Sequence, residues 1–349
     1  MTNPLDTSAA SAPNAQAASA EATGSSEPKV RWGAVVLFVL LAYGLAWLVT
    51  LPLWLSAGER NSMLNTLCVV AMMFTPGVAA MATLLVTRTP AKGQRLRSLG
   101  VWPLRPAKRT VLMALLALAL PFVIAIIALA IAALCGWLTL DLTHLSGFQE
   151  TLQASYQQLP PEQREAALAS MPDPWVLVII QLVMVPIGAI INMIPTTGEE
   201  LGWRGWLLPA LRPLGTWPAL LLSGVIWGLW HTPVTLLGHN YGLYDWRGVA
   251  LMTVNCVLWG VLAGWFRLRT ASLWPSVALH GSLNAAGGLP LLFIAAGTEF
   301  QPWLALVVGV SGWIVLVAVL VVLGISGQFK KQPELDSRQQ SAQQSNPGA

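Results

Sequence analysis

Charge is what this sequence has least of. Only 10% of its 349 residues are Asp, Glu, Lys or Arg, against roughly 25% in a soluble domain. So few charges cannot clothe a water-facing surface, which excludes an ordinary soluble domain and points to a membrane protein. Cysteine is also sparse: Cys68, Cys135 and Cys256 stand apart, each inside an apolar run. That spacing excludes a disulfide framework and a CxxC metal pattern, and the three thiols read as buried and inert. Residues 1–29 hold almost no large apolar side chains and no basic stretch leading into an apolar core. The first lack reads as a disordered tail. The second excludes a cleaved signal peptide and leaves targeting to the first spanning helix. Residues 329–349 are likewise polar and read as a second disordered tail.

What fills the remainder is apolar, 55% of the chain. Eight windows reach the roughly 18 residues expected of a spanning helix. They are Trp32–Ala57, Ser62–Thr87, Thr110–Leu140, Trp175–Ile194, Trp217–Gly238, Gly248–Phe266, Leu273–Ala296 and Trp303–Ile325. The expected fold is all-α, a polytopic integral membrane bundle of about eight transmembrane helices over residues 30–328. Basic residues collect in cytoplasmic loops, and with both termini inside this partition puts sixteen of the nineteen Lys and Arg on the cytoplasmic side. Only Arg60, Arg164 and Arg247 fall outside. The plasma (inner) membrane is the expected location. The positive balance then describes topology and contact with anionic membrane lipid, and nucleic acid is not expected as a partner.

Two loops are long. Residues 88–109 carry seven positive charges and are expected against the cytoplasmic leaflet, while 141–173 is net acidic, with a short amphipathic helix after Pro161. Of the seventeen Trp, several stand near span ends, as at Trp32, Trp175, Trp217 and Trp303, which suits interfacial anchoring. Gly224 with Gly228, and Gly260 with Gly264, have the GxxxG spacing of closely packed helices.

Ionisable residues at membrane depth are costly and mark candidate functional sites. Here they are Glu199, Glu200, Arg204, His231 and His280. In "EELGWRG", Glu200 and Arg204 sit at i and i+4 and can pair on one helix face, leaving Glu199, about 100° around the helix, as a base. An interfacial salt bridge capping a helix is the plainer reading. In "WGLWH", Trp227 and His231 share a face, although a lone histidine in a packed helix is often only a satisfied polar group. In "HGSLN", His280 and Asn284 aim an imidazole and a carboxamide at one point; a helix-packing hydrogen bond would also account for them. Together, a carboxylate pair, two histidines and an asparagine on three helices supply what adding water to a carbonyl needs: a base and donors for the oxyanion. No Ser, Cys or Lys pairs with them as a nucleophile, so direct attack by water is the simpler chemistry. Two other classes use the same groups, a proton-coupled transporter and a non-catalytic membrane scaffold or immunity protein.

The order and spacing of "EELGWRG", "WGLWH" and "HGSLN" resemble the three signature motifs of the CPBP or Abi family, which includes the CAAX prenyl endopeptidases. The resemblance covers about residues 175–296. It implies an intramembrane endopeptidase whose substrate is a peptide or membrane protein, with or without a lipid group. Carried over residue by residue, Glu199 and His231 would activate water, His280 and Asn284 would form the oxyanion site, and Glu200, Arg204 and Trp227 would support them. The family is also described as metalloproteases, and zinc on Glu199, His231 and His280 is the alternative. Asn is a poor zinc ligand and there is no HExxH pattern, so a mechanism without a cofactor is favoured. The site is expected nearer the cytoplasmic side, although at about 1.5 Å per residue His231 lies roughly 21 Å from Trp217 and His280 about 10 Å from Leu273.

Overall fold

The computed structural model describes residues 29–56, 62–104, 106–157 and 159–330. The tails expected at 1–29 and 329–349 fall, but for residues 29, 329 and 330, outside the described residues. The chain runs through α1 (Trp32–Leu55), α2 (Ser62–Met73), α3 (Thr75–Thr87), α4 (Arg95–Ser98), α5 (Ala107–Leu134), α6 (Ser146–Gln157), α7 (Pro161–Ala169) and α8 (Pro174–Glu200). A π-helical segment, Leu201–Leu207, leads into α9 (Leu208–Leu211), α10 (Thr216–Trp230), α11 (Thr232–Thr235), α12 (Trp246–Thr270), α13 (Trp274–Ala286), α14 (Pro302–Ala305) and α15 (Val310–Ile325). Among the described residues the one isolated bridge is antiparallel, Leu140 to Ile294. The protein is a polytopic helical membrane bundle.

Six helical stretches among the described residues are long and apolar enough to cross a membrane, against eight expected. All eight windows carry helix, but α10 has 15 residues and α13 only 13. Proline explains the first: Pro233 restarts the chain as the separate turn α11 just after α10 ends. Burial explains the second. Every residue from Pro275 to Leu283 is buried, and α13 packs against α5, α8 and α12, so its apolar side chains meet protein rather than lipid. Hydropathy cannot tell those two environments apart. The window 62–87 is bent rather than straight, because Pro76 cannot donate to the carbonyl one turn back and the helix breaks at Phe74.

The bundle has two chemically distinct ends. At one, Arg31 donates to the Thr89 hydroxyl at 2.8 Å, the Leu273 N–H donates to the Gly100 carbonyl at 2.9 Å, and Trp217 packs on Phe329 with ring centroids 4.6 Å apart. This basic end joins the start of α1, the strap after α3, the end of α12 and the start of α10. At the other, the Trp54 indole donates to the Pro233 carbonyl at 3.0 Å, the Asp141 N–H to the Phe293 carbonyl at 2.9 Å, and the Trp175 indole to the Thr143 carbonyl at 3.2 Å. This acidic end carries Asp141, Glu150, Glu162, Glu165, Asp173, Asp245 and Glu299, with Arg164 and Arg247 the only Lys or Arg there among the described residues. The expected helix after Pro161 is α7; α6 was not anticipated. Gly224 and Gly228 let α10 close on α12: a Cβ on Gly224 would stand 2.7 Å from the Val257 Cα. Cys68 and Cys256 are buried as expected, but Cys135, capping α5 where the helix runs out of partners, is exposed.

Candidate active site

Close backbone approach seats the end of α8 on the α2–α3 bend. A Cβ on Gly198 would stand 2.8 Å from the Met73 carbonyl oxygen, and one on Gly77 2.7 Å from the Gly198 carbonyl oxygen. Immediately beyond, the helix widens into its π segment, which changes the i→i+4 hydrogen bonding to i→i+5 and is frequent at functional sites. Glu199, Glu200 and Arg204 are all buried here, each no more than 2% exposed.

Isolated buried charges would be prohibitively costly, so each must be met. Arg204 Nη1 donates to Glu200 Oε1 at 2.8 Å, and its guanidinium lies 4.2 Å from the centre of the Trp227 ring, a cation–π contact. Glu199 is not the unpartnered carboxylate expected: its Oε2 accepts the Trp227 indole N–H at 2.8 Å. His280 Nδ1 stands 2.9 Å from Glu200 Oε1, and its Nε2 lies 4.0 Å from Glu199 Oε1. A carboxylate can only accept, so Nδ1 of His280 carries hydrogen and Nε2 is the nitrogen turned toward Glu199.

His231 closes α10. Its Nδ1 is 3.0 Å from the Trp227 carbonyl, which also only accepts, so Nδ1 donates and Nε2 is left as the basic nitrogen of the neutral ring. Cys256 Sγ approaches the same Nδ1 at 3.7 Å. Trp227 thus does more than support. Its indole N–H holds Glu199, its ring faces Arg204, its carbonyl orients His231, and it meets the His280 ring edge-on at 5.2 Å between centroids.

Glu199, Trp227, His231, His280 and Asn284 all line one cavity of about 360 Å³. The difference in depth read from the sequence persists, because α10 and α13 both start at the basic end and His231 and His280 lie about 22 and 9 Å along them; the Trp227 ring bridges it, 5.9 Å from the His231 ring and 5.2 Å from that of His280. The wall also includes Met72 and Met73 of α2, Asn255 and Cys256 in the first half of α12, and His239 and Asn240 in the loop after α11. None of these belonged to a recognised motif; His239 and Cys256 carry chemistry, but their positions give no spacing signal.

The zinc alternative requires three donors around one point. Among the described residues no three His, Cys, Asp or Glu side chains are arranged to hold a metal ion. His231 and His280 each turn Nδ1 onto a protein oxygen, an orientation that zinc-bound histidines share, so the grouping of donors and not these two contacts decides the matter. The donor set as placed does not form a zinc site.

Fold and site together define a helical membrane protein with a buried carboxylate and imidazole cluster at the wall of an internal cavity. Residues 172–286 match the family model for Type II CAAX prenyl endopeptidase Rce1-like proteins, a segment that contains all three motifs. The chain is also 27% identical over 100 residues to CAAX prenyl protease 2 of Methanococcus maripaludis, a match covering 26% of this chain and 36% of that relative's length. These likenesses support the resemblance to the CAAX protease family.

Proposed function

We propose that this protein is an intramembrane endopeptidase that hydrolyses a peptide bond with water activated by Glu199 and His231. The observation that carries the reading is the convergence of both residues with His280 and Asn284 on one cavity. A water between the Glu199 carboxylate and His231 Nε2 loses its proton to Glu199 as its oxygen attacks the carbonyl carbon. The oxyanion takes hydrogen bonds from the Asn284 carboxamide and, when the ring is protonated on both nitrogens, from His280 Nε2. Glu200 is then the counter-ion of His280 as well as of Arg204, so that two carboxylates face two cations. Collapse of the tetrahedral intermediate breaks the C–N bond, and the proton held by Glu199 passes to the departing amine.

The substrate is a peptide or membrane-protein segment, with or without a lipid group, and the protein resides in the plasma membrane with both termini in the cytoplasm. A metal-free mechanism is favoured because Asn284 is a poor zinc ligand and the chain has no HExxH pattern. Purified protein in lipid nanodiscs, incubated with quenched peptide libraries that include farnesylated CAAX peptides and read by mass spectrometry, tests this. Cleavage abolished by Glu199→Gln and by His231→Ala, and unchanged after a zinc chelator, is the expected result. Loss on chelation with specific recovery on adding zinc overturns the metal-free mechanism. Absence of any cut that depends on Glu199 and His231 overturns the peptidase reading in favour of a scaffold or transporter.

A further inference from the structure

Asn255 lines the cavity from α12 and is only 5% exposed. It stands where α12 is pressed hardest on α10: a Cβ on Gly228 would collide with the Thr253 Cα, and one on Gly224 would stand 2.7 Å from the Val257 Cα. Asn255 falls between these two contacts. The next residue is Cys256, whose Sγ lies 3.7 Å from His231 Nδ1, so the carboxamide is carried on the stretch of α12 that reaches the reacting groups. The proposed mechanism leaves it without a task.

A carboxamide removed from water has an acceptor oxygen and two donor hydrogens to satisfy. The Trp313 indole of α15 meets Asn255 at 3.2 Å. An indole N–H can only donate, so the atom facing it is Oδ1, and Nδ2 with both hydrogens is turned the other way. Among the described residues no protein atom accepts from Nδ2, nor is Nδ2 one of the buried polar atoms shut away without a partner. Its hydrogens therefore face the cavity. Tying α12 to α15 needs only the oxygen.

Other donors of the wall are already committed: the Trp227 indole to Glu199, His231 Nδ1 to the Trp227 carbonyl and His280 Nδ1 to Glu200. Much of the remaining lining is apolar, as at Met72, Met252, Leu283 and Val308. In such a wall a fixed donor pair selects a ligand that brings an acceptor, and a peptide brings a carbonyl at every residue. We propose that Asn255 binds the main chain of the substrate: its carboxamide donates to a peptide carbonyl other than the one being cleaved, and Trp313 holds the amide in that orientation. The direction of the donors stands on geometry; that the acceptor belongs to a substrate rests on the peptidase reading.

Glu199→Gln protein in nanodiscs, with fluorescent peptides selected from the library by binding to it, tests this without requiring a cut. Adding Asn255→Ala is expected to weaken binding about tenfold, the size of one hydrogen bond. Trp313→Phe breaks the same 3.2 Å bond but keeps Nδ2, so it is expected to weaken binding only roughly two- to threefold through lost orientation. Peptides with one backbone carbonyl at a time reduced to a methylene find the acceptor: at one position the change costs the Glu199→Gln protein about tenfold and the Asn255→Ala double variant nothing further. With Glu199 restored, Asn255→Ala raises KM and leaves kcat within about twofold, as loss of uniform binding does. Equal losses in Asn255→Ala and Trp313→Phe that follow a lowered unfolding temperature make the residue a helix tie and overturn the proposal. So does a methylene scan that costs both proteins alike at every position, or a library from which no peptide is retained. Peptides that bind through Asn255 yet are never cut by the wild type overturn the peptidase reading and leave Asn255 a binding residue.

Discussion

Glu200 holds Arg204 and His280 with the same carboxylate oxygen: Oε1 is 2.8 Å from the arginine Nη1 and 2.9 Å from the histidine Nδ1. One buried anion therefore fixes two helices, because Arg204 belongs to the π segment and His280 to α13. Replacing Glu200 by Gln keeps the shape but leaves a guanidinium with half its charge balance in a site that water barely reaches. Removing one partner of such a buried pair costs about 3–5 kcal/mol. Thermal unfolding in detergent is expected to show that loss, together with peptidase activity reduced at least a hundredfold.

Trp227 gives a milder and more selective test. In Trp227→Phe the ring under Arg204 and the backbone carbonyl to His231 remain, and only the 2.8 Å indole bond to Glu199 is lost. A hydrogen bond to a charged group is worth about 1.5–3 kcal/mol, which corresponds to roughly ten- to a hundredfold in rate if it orients the base during reaction. The expected outcome is a fall in kcat of that size with the unfolding temperature nearly unchanged.

How much of this was legible in the sequence divides along the range of each contact. The Glu200–Arg204 pair is four residues apart, and helical spacing alone announces it. The Glu200–His280 contact spans 80 residues and Trp227–Glu199 spans 28, and nothing periodic connects them. The three motifs thus named the residues without revealing that Trp227 ties them together. Apolar runs located the long helices but not the polar α4 and α6, and α13 looks like a lipid-facing span because burial in protein selects the same side chains as burial in lipid. Arg267 reads as one more loop cation, and only the fold makes it a buried donor to the Arg204 carbonyl.

At the acidic end the loop after α5 depends on one aspartate. Asp141 accepts backbone N–H groups of Thr143, His144 and Ser146, and the hydrogen bonding from Ser146, then from His144, holds its carboxyl well below the usual carboxylate range. A folded value below the unfolded one means that the tie is fully present above the ordinary Asp range and is lost as pH falls toward the folded value. Hydrogen exchange at the amides of Thr143, His144 and Ser146 is therefore expected to accelerate only under strongly acidic conditions in the wild type, and at neutral pH in Asp141→Ala. Equal protection in the variant would mean that the 140–294 bridge alone orders the loop.

Arg267 and Gly100 offer a final pair that addresses one contact from both sides. Arg267→Met removes two charged hydrogen bonds, to the carbonyls of Arg204 and Ser98. At about 1.5–3 kcal/mol each, the fold should lose a few kcal/mol, seen as a lowered unfolding temperature. Gly100→Ala leaves the arginine intact but adds a carbon at 2.8 Å from its Cζ and must hold φ near 76°, where an L side chain is strained. Because the Arg204 carbonyl belongs to the residue whose guanidinium holds Glu200, displacement of Arg267 should reach Glu200 and His280. The four histidines of the chain make a 15N-histidine NMR spectrum tractable, and both variants are expected to shift the His280 Nδ1 resonance. If either variant is destabilised while that resonance stays in place, Arg267 only closes the basic end and does not position the site.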